Sequence, residues 1–125
     1  MKRDWDVIRE ILIHLEETNA GIGCLRLSSF PQDRAHEISY HVELLIEAGL
    51  VHGKVSKTLG PGPYDFMAIR LTWNGHEFLD AIRSDTIWQK TKSSFLSKGL
   101  SMTFDLVKSV AVEVASAYLK TSAGG

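Results

Sequence analysis

The stretch Ile38-Ser39-Tyr40-His41-Val42-Glu43-Leu44-Leu45-Ile46-Glu47-Ala48-Gly49-Leu50-Val51 decides the fold, because the spacing of its apolar residues changes at its end. Before Gly49 the apolar side chains recur every three or four positions, which predicts an amphipathic helix from about Ala35 to Ala48. The apolar stripe of this helix consists of Ile38, Val42, Leu45 and Ile46. Gly49 is a natural residue to end a helix, so a different element is expected from Val51 onward.

Two segments after this helix alternate between apolar and polar residues with a period of two. They cover residues 51–58 and 66–72, and the stiff, turn-rich tip Leu59-Gly60-Pro61-Gly62-Pro63 separates them. This pattern predicts an antiparallel hairpin. The residues predicted to share its core-facing side are Met67, Ile69 and Leu71.

Helical spacing marks four further segments. They are residues 4–17, the segment that follows the N-cap residue Thr72, residues 86–97 and residues 103–120. Residues 22–27 predict a short strand, and residues 28–33 predict a loop or one helical turn. The order helix, short strand, helix, hairpin, helix is that of a winged helix, with the hairpin as its wing. We therefore expect an α+β, mostly α, winged-helix fold with a two-stranded wing and extra C-terminal helices.

Length and composition are those of one globular domain, with 125 residues of which 44% are hydrophobic. We expect a single domain over residues 1–120, made of a core (1–85) and a helical extension (86–120), and then a flexible tail at 121–125. The net charge of −1 argues against a strongly basic nucleic-acid binder, although a local basic patch can act on a neutral protein. The sequence has no signal-peptide pattern and no apolar run of membrane length, so a cytoplasmic protein without membrane contact is expected.

Two stretches resemble known winged-helix proteins. Residues 38–51 look like a recognition helix that runs into its wing, and residues 71–79 look like the entry to the helix after the wing in multiple-antibiotic-resistance-type and phenolic-acid-decarboxylase-type repressors. The whole chain resembles the domain-of-unknown-function family 2513 of bacteria and their prophages. The segments that carry this resemblance are residues 1–9, 38–51, 75–83 and 85–88. The resemblance implies a winged-helix protein of bacterial or prophage type.

The predicted recognition helix is acidic, because residues 36–50 contain Glu37, Glu43 and Glu47 and no Lys or Arg. Three carboxylates without a cation repel phosphate, so a DNA contact would rely on the wing. The candidate DNA-binding residues are Lys54, Lys57 and Arg70 on the wing, Ser39 and Tyr40 on the helix, and Arg34 beside it. The alternative is that these side chains form a solvated surface or contact a protein.

The last predicted helix has its own apolar stripe, which consists of Phe104, Val107, Ala111, Val114 and Tyr118. Its steps of three and four residues are those of a near-heptad seam. The stripe is predicted to be buried, either against this chain or against a second copy in a homodimer.

Catalytic and metal-binding patterns are missing from the sequence. There is no nucleophile elbow and no glycine-rich phosphate loop, the histidines lack ligand spacing, and Cys24 is the only cysteine. No enzyme activity, metal or cofactor is expected. The expected function is that of a winged-helix, DNA-associated regulator that binds double-stranded DNA. The alternative is a winged-helix adaptor that modulates a host or phage protein.

Overall fold

The computed structural model describes residues 1–18 and 23–124. This part of the chain is α+β and mostly helical, as predicted, with five α-helices and one two-stranded antiparallel sheet. The elements are α1 (Trp5–Glu17), two 3-10 turns (Leu27–Ser29 and Gln32–Arg34), α2 (Ala35–Glu47), β1 (Val51–Ser56), β2 (Asp65–Leu71), α3 (Trp73–Ile82), α4 (Asp85–Lys98) and α5 (Phe104–Gly124).

The chain divides into two compact units, Met1–Glu77 and Phe78–Gly125, and their boundary falls inside α3. The single domain over residues 1–120, divided after residue 85, stays a prediction. Helix α5 begins one residue later than predicted and continues to Gly124, so it includes most of the predicted tail at 121–125. The hydroxyl of Thr121 donates to the carbonyl of Ala117 at 2.9 Å, which suits a continuing helix. Gly125 lies outside the described residues.

The core of the first unit lies between its two long helices and one face of the hairpin. Helix α1 contacts α2 and β2, and α2 contacts β1. The most deeply buried residues of this core are Ile11, Leu12, Ile38, Val42, Leu45, Phe66 and Ala68. Burial of each large apolar side chain stabilises the fold by roughly 1.5–3 kcal/mol. The periodicity of residues 4–17 and 35–48 therefore identified the helix faces that form this core.

The hairpin contains a β-bulge that its alternating sequence does not reveal. His52 pairs with Arg70, but the next residue of β1, Gly53, pairs with Ala68. Ile69 is consequently an extra residue in β2 with no partner opposite it. Such a residue disrupts the ladder locally and shifts the inward and outward alternation of its strand by one position.

The prediction that Met67 and Ile69 face the core is wrong because of this bulge. Their side chains are 42% and 43% exposed, whereas Phe66 and Ala68 are buried on the inner side. After the bulge the alternation of inward and outward side chains is shifted by one position, so Leu71 is buried as predicted. The two strands are otherwise paired antiparallel, as expected.

The predicted short strand at 22–27 is reduced to one bridge. Leu25 and Ala68 exchange two backbone hydrogen bonds, of 3.0 and 2.9 Å, on the side of β2 away from β1. Ile22 lies outside the described residues. The predicted loop or turn at 28–33 is a pair of 3-10 turns, which leads directly into α2.

A compact junction joins the end of α2 to the start of α3. Gly49 adopts a left-handed conformation with φ of 77°, and its carbonyl accepts a hydrogen bond from the hydroxyl of Thr72 at 2.6 Å. The same hydroxyl accepts from the backbone N–H of Gly75 at 3.0 Å and caps α3, as predicted. A Cβ atom on Gly75 would overlap the carbonyl oxygen of Leu50, so this close approach requires glycine.

The second unit is built from the end of α3 together with α4 and α5. Val107 and Ala111 of the predicted α5 stripe are fully buried, and Phe104 stacks on Phe78 with ring centroids 4.8 Å apart. Val114 is half-buried, and Tyr118 is 47% exposed beneath the Lys90 ammonium group. The predicted burial of the stripe is therefore confirmed for Val107 and Ala111, whereas Phe104 is half-buried like Val114.

Candidate nucleic-acid interface

The side of the hairpin that faces away from the core carries two cations and two exposed apolar side chains. We define this outer hairpin face by His52, Lys54, Met67, Ile69 and Arg70, all of which are exposed. His52 lies opposite Arg70, and Lys54 lies opposite Met67. None of the five residues is acidic. The bulge at Ile69 positions this set, because without it Arg70 and Met67 would fall on opposite sides of the sheet.

The two strand cations of this face differ in their surroundings. The guanidinium group of Arg70 donates to the carbonyl of Leu71 at 3.1 Å, which holds it close to the strand. For Lys54, no ion pair occurs with any residue in the ranges 1–18 and 23–124. Lys57, just beyond β1, lies 3.2 Å from a carboxylate oxygen of Glu43 on α2. Exposed pairs of this kind contribute little energy, so this contact leaves Lys57 available to an anionic partner.

The side chain of Arg34 is paired with carboxylates of the same chain. Its guanidinium group donates two hydrogen bonds to Glu10 in a bidentate ion pair, at 2.7 and 2.9 Å, and a third hydrogen bond to Glu37 at 2.8 Å. The hydrogen bonds that Arg34 donates to Glu10 and Glu37 hold the pKa of Arg34 above its usual range. The hydrogen bond from Arg34 in turn lowers the pKa of Glu10. The arginine therefore links α1 to α2, and two carboxylates compensate its charge.

The two candidate residues on α2 are also largely inside the fold. Ser39 is 4% exposed, and its hydroxyl donates to the carbonyl of Tyr64 at 2.7 Å. Tyr40 is half-buried, with its ring edge-on to the buried ring of His41 at 5.4 Å. The structure therefore brings Lys54 and Arg70 together on the outer hairpin face, pairs Lys57 with Glu43 of α2, and places Ser39 against Tyr64 at the tip-proximal end of β2.

The comparisons with known proteins assign this chain to a family. The model of a family described as "Hypothetical protein (DUF2513)" matches residues 2–101. The chain belongs to the DUF2513 family. A Haemophilus influenzae protein described as "Uncharacterized protein" is 40% identical over 119 residues, which cover 95% of this chain and 99% of that protein. No solved structure matches the chain at a significant level.

The described part of the DUF2513 chain contains neither a metal-binding cluster nor a membrane-spanning helix. Within residues 1–18 and 23–124, no three His, Cys, Asp or Glu side chains are grouped as a metal site requires. The helices of the same described part include none that is long and apolar enough to cross a membrane.

Three members of the outer hairpin face were missed by the sequence analysis of this DUF2513 chain. Met67 and Ile69 were predicted to be buried, and His52 was not singled out. Simple alternation places Met67, Ile69 and Leu71 on one side, and no residue type in 66–72 signals the bulge. A β-bulge is decided by pairing with the partner strand, so the sequence of β2 alone carries little signal for it.

Proposed function

We propose that this DUF2513 chain is a winged-helix, DNA-associated regulatory protein of bacterial or prophage type, which acts by binding and not by catalysis. In this proposal the hairpin is the wing, and its outer face contacts the phosphate backbone of double-stranded DNA. The observation that carries the proposal is the placement of Lys54 and Arg70 on the outer side of the hairpin, where the one acidic residue in register, Asp65, is already paired with Arg26.

The order of elements supports the winged-helix part of the proposal. Helix α1 is followed by the bridge at Leu25, then by α2, the hairpin and α3. The bridge extends the hairpin by a third, minimal strand on the β2 side. Helix α2 takes the place of a recognition helix, but the helix that usually precedes it in a helix-turn-helix is replaced by two 3-10 turns.

The charge distribution indicates why the hairpin, and not α2, would carry the DNA contact. Helix α2 carries three acidic residues, Glu37, Glu43 and Glu47. The hydroxyl of Ser39, a candidate DNA contact on the same helix, is buried and donates to the carbonyl of Tyr64. Lysine and arginine bind phosphate by displacing condensed counterions, and this contact does not read sequence. We therefore expect an affinity that depends strongly on salt and weakly on base sequence.

The test is a salt series of fluorescence-anisotropy titrations on duplex DNA. Replacing both Lys54 and Arg70 by Ala should lower the affinity for all sequences alike. It should also reduce the salt slope by about 2, because each lost phosphate contact removes roughly 0.9. The matched control replaces Lys98 and Lys120, two exposed lysines of the second unit, by Ala. Both double variants change the net charge equally, so only a local contact separates them.

Two results would contradict the proposal. One is the absence of binding at low salt, where weak electrostatic association is strongest. The other is an equal loss of affinity in the test and control variants, which would assign the effect to net charge alone.

A protein partner is the second candidate function, and exposed apolar side chains on the outer hairpin face and at the start of α3 favour it. Met67 and Ile69 expose more than two-fifths of their surface, and Trp73 at the start of α3 is 78% exposed. Tryptophan and methionine are enriched at protein interfaces. If DNA binding fails at low salt, the adaptor role becomes the leading proposal. Trp73→Ala, which should abolish capture of a partner without loss of stability, is then the first variant to measure.

A further inference from the structure

A groove in the first unit lies where the tip of the hairpin meets the beginning of α2. Its volume is about 780 Å³, within the range typical of small-molecule sites. Five segments of the chain form its walls, namely the two 3-10 turns, the first turn of α2 and the two ends of the hairpin that adjoin the tip.

The lining combines an apolar floor with uncharged polar groups. The floor consists of Leu27, Phe30, Ala35 and Pro63. The polar groups are three hydroxyls, one amide and one imidazole, contributed by Ser28, Ser56, Thr58, Gln32 and His36. Within the ranges 1–18 and 23–124, none of these five side chains has a hydrogen-bond or ion-pair partner. All five side chains are exposed, so a ligand would bond them in place of solvent water.

The only acidic side chain of the lining already has both oxygens occupied. Oδ1 of Asp65 accepts from the backbone N–H groups of Leu27 at 3.1 Å and Phe66 at 2.8 Å, and Oδ2 accepts from Arg26 at 3.0 Å. The hydrogen bond from the backbone N–H of Leu27 lowers the pKa of Asp65 most, and the bond from Arg26 lowers it further, so the carboxylate stays ionised. Asp65 thus ties the first 3-10 turn to β2 and holds the groove in shape.

The charge of the lining favours neutral ligands over anions. Neither Lys nor Arg lines the groove, whereas Asp65 does. A phosphate group would meet hydroxyls and a carboxylate without a lysine or arginine, an arrangement unlike the usual phosphate sites. A neutral ligand with many hydroxyl groups on one edge and an apolar C–H face matches both parts of the lining.

We propose that this groove binds a neutral, hydroxylated sugar ring, either as a free monosaccharide or as the sugar of a nucleoside. The hydroxyls and the amide bond the ring's edge, and the floor around Leu27 and Pro63 contacts its apolar face. This inference goes beyond the proposed DNA contact and does not depend on it, because the outer hairpin face and the groove share no residue.

The experiment follows backbone amide signals by NMR while ribose, glucose, adenosine or adenosine monophosphate is added to the full chain. We expect saturable shifts at Ser28, His36 and Ser56 with at least one neutral compound, and weaker binding of adenosine monophosphate than of adenosine. Binding of ribose or glucose assigns the site to free sugars, whereas binding of adenosine alone assigns it to nucleosides.

Substitutions in the groove test whether the ligand binds there. Ser56→Leu, which fills the groove from β1, should weaken binding by about ten-fold or more. Thr58→Leu provides the same test at the exposed tip if the first variant does not fold. The matched control is Ser97→Leu, at an exposed serine of α4 that should leave binding unchanged. The variant in which Lys54 and Arg70 are replaced by Ala should bind the sugar as the wild type does, so failure of the DNA proposal is separately visible.

Three results would overturn the proposal. They are the absence of saturable shifts with every neutral compound, tighter binding of adenosine monophosphate than of adenosine, and unchanged binding in both groove variants.

Discussion

Gly75 is the residue whose substitution tests the junction between α2, the hairpin and α3 most directly. The carbonyl oxygen of Leu50 accepts a hydrogen bond from the backbone N–H of Thr72 at 3.0 Å, and the backbone of Gly75 packs against the same carbonyl. In Gly75→Ala the new methyl group would overlap this oxygen. The neighbour is backbone and cannot rotate away, so α3 must move outward.

The expected loss of stability follows from the two consequences of this movement. Overpacking against a rigid neighbour costs typically about 1–3 kcal/mol. Lengthening the bond between Thr72 and Leu50 costs roughly 1 kcal/mol more. The sum is about 2–4 kcal/mol, a large part of the roughly 5–15 kcal/mol that stabilises a typical domain. At about 4 °C per kcal/mol, the midpoint of thermal unfolding should fall by roughly 8–16 °C.

Urea unfolding followed by far-ultraviolet circular dichroism measures the change. The matched control is Gly62→Ala in the exposed hairpin tip, where an added Cβ meets no atom within 4 Å. The same chemical change there should leave stability unchanged or slightly increased, because alanine restricts the unfolded chain. If Gly75→Ala unfolds within about 0.5 kcal/mol of the wild type, the packing of α3 on Leu50 is not as tight as described.

Two further substitutions test the polar contacts that hold the first unit together. Nε2 of the buried His41 accepts a hydrogen bond from the backbone N–H of Asp4 at 2.8 Å. His41→Leu should therefore lower the free energy of unfolding in urea by about 1–3 kcal/mol. An unchanged midpoint would show that water bonds the N–H of Asp4 equally well in the variant. Asp65 has a lowered pKa in the folded state, so its stabilising contribution is present above its unfolded pKa and is lost as the pH falls through the lower folded value. In Asp65→Asn this part of the acid dependence should disappear from pH-dependent unfolding curves, while identical curves for variant and wild type would refute the role of the carboxylate.

Local sequence patterns predicted the five helices, the hairpin and their order, because these depend on neighbours in the chain, whereas the strand predicted at 22–27 is a single bridge. The spacing of apolar residues located α2 and both strands of the hairpin to within two residues. Thr72 could be assigned as a cap because its hydroxyl bonds Gly75, three residues along. The predicted resemblance to the DUF2513 family is confirmed by the family model that matches residues 2–101.

Only the tertiary structure decided which surface each candidate residue occupies. Ser39 bonds Tyr64, 25 positions away, and Arg34 bonds Glu10, 24 positions away, so no local pattern reveals that both side chains are bonded to distant parts of the same chain. The bulge at Ile69 depends on how β2 pairs with β1, and it turns Met67 toward solvent. Contacts between distant segments, set by packing and by hydrogen bonding across strands, thus positioned the outer hairpin face.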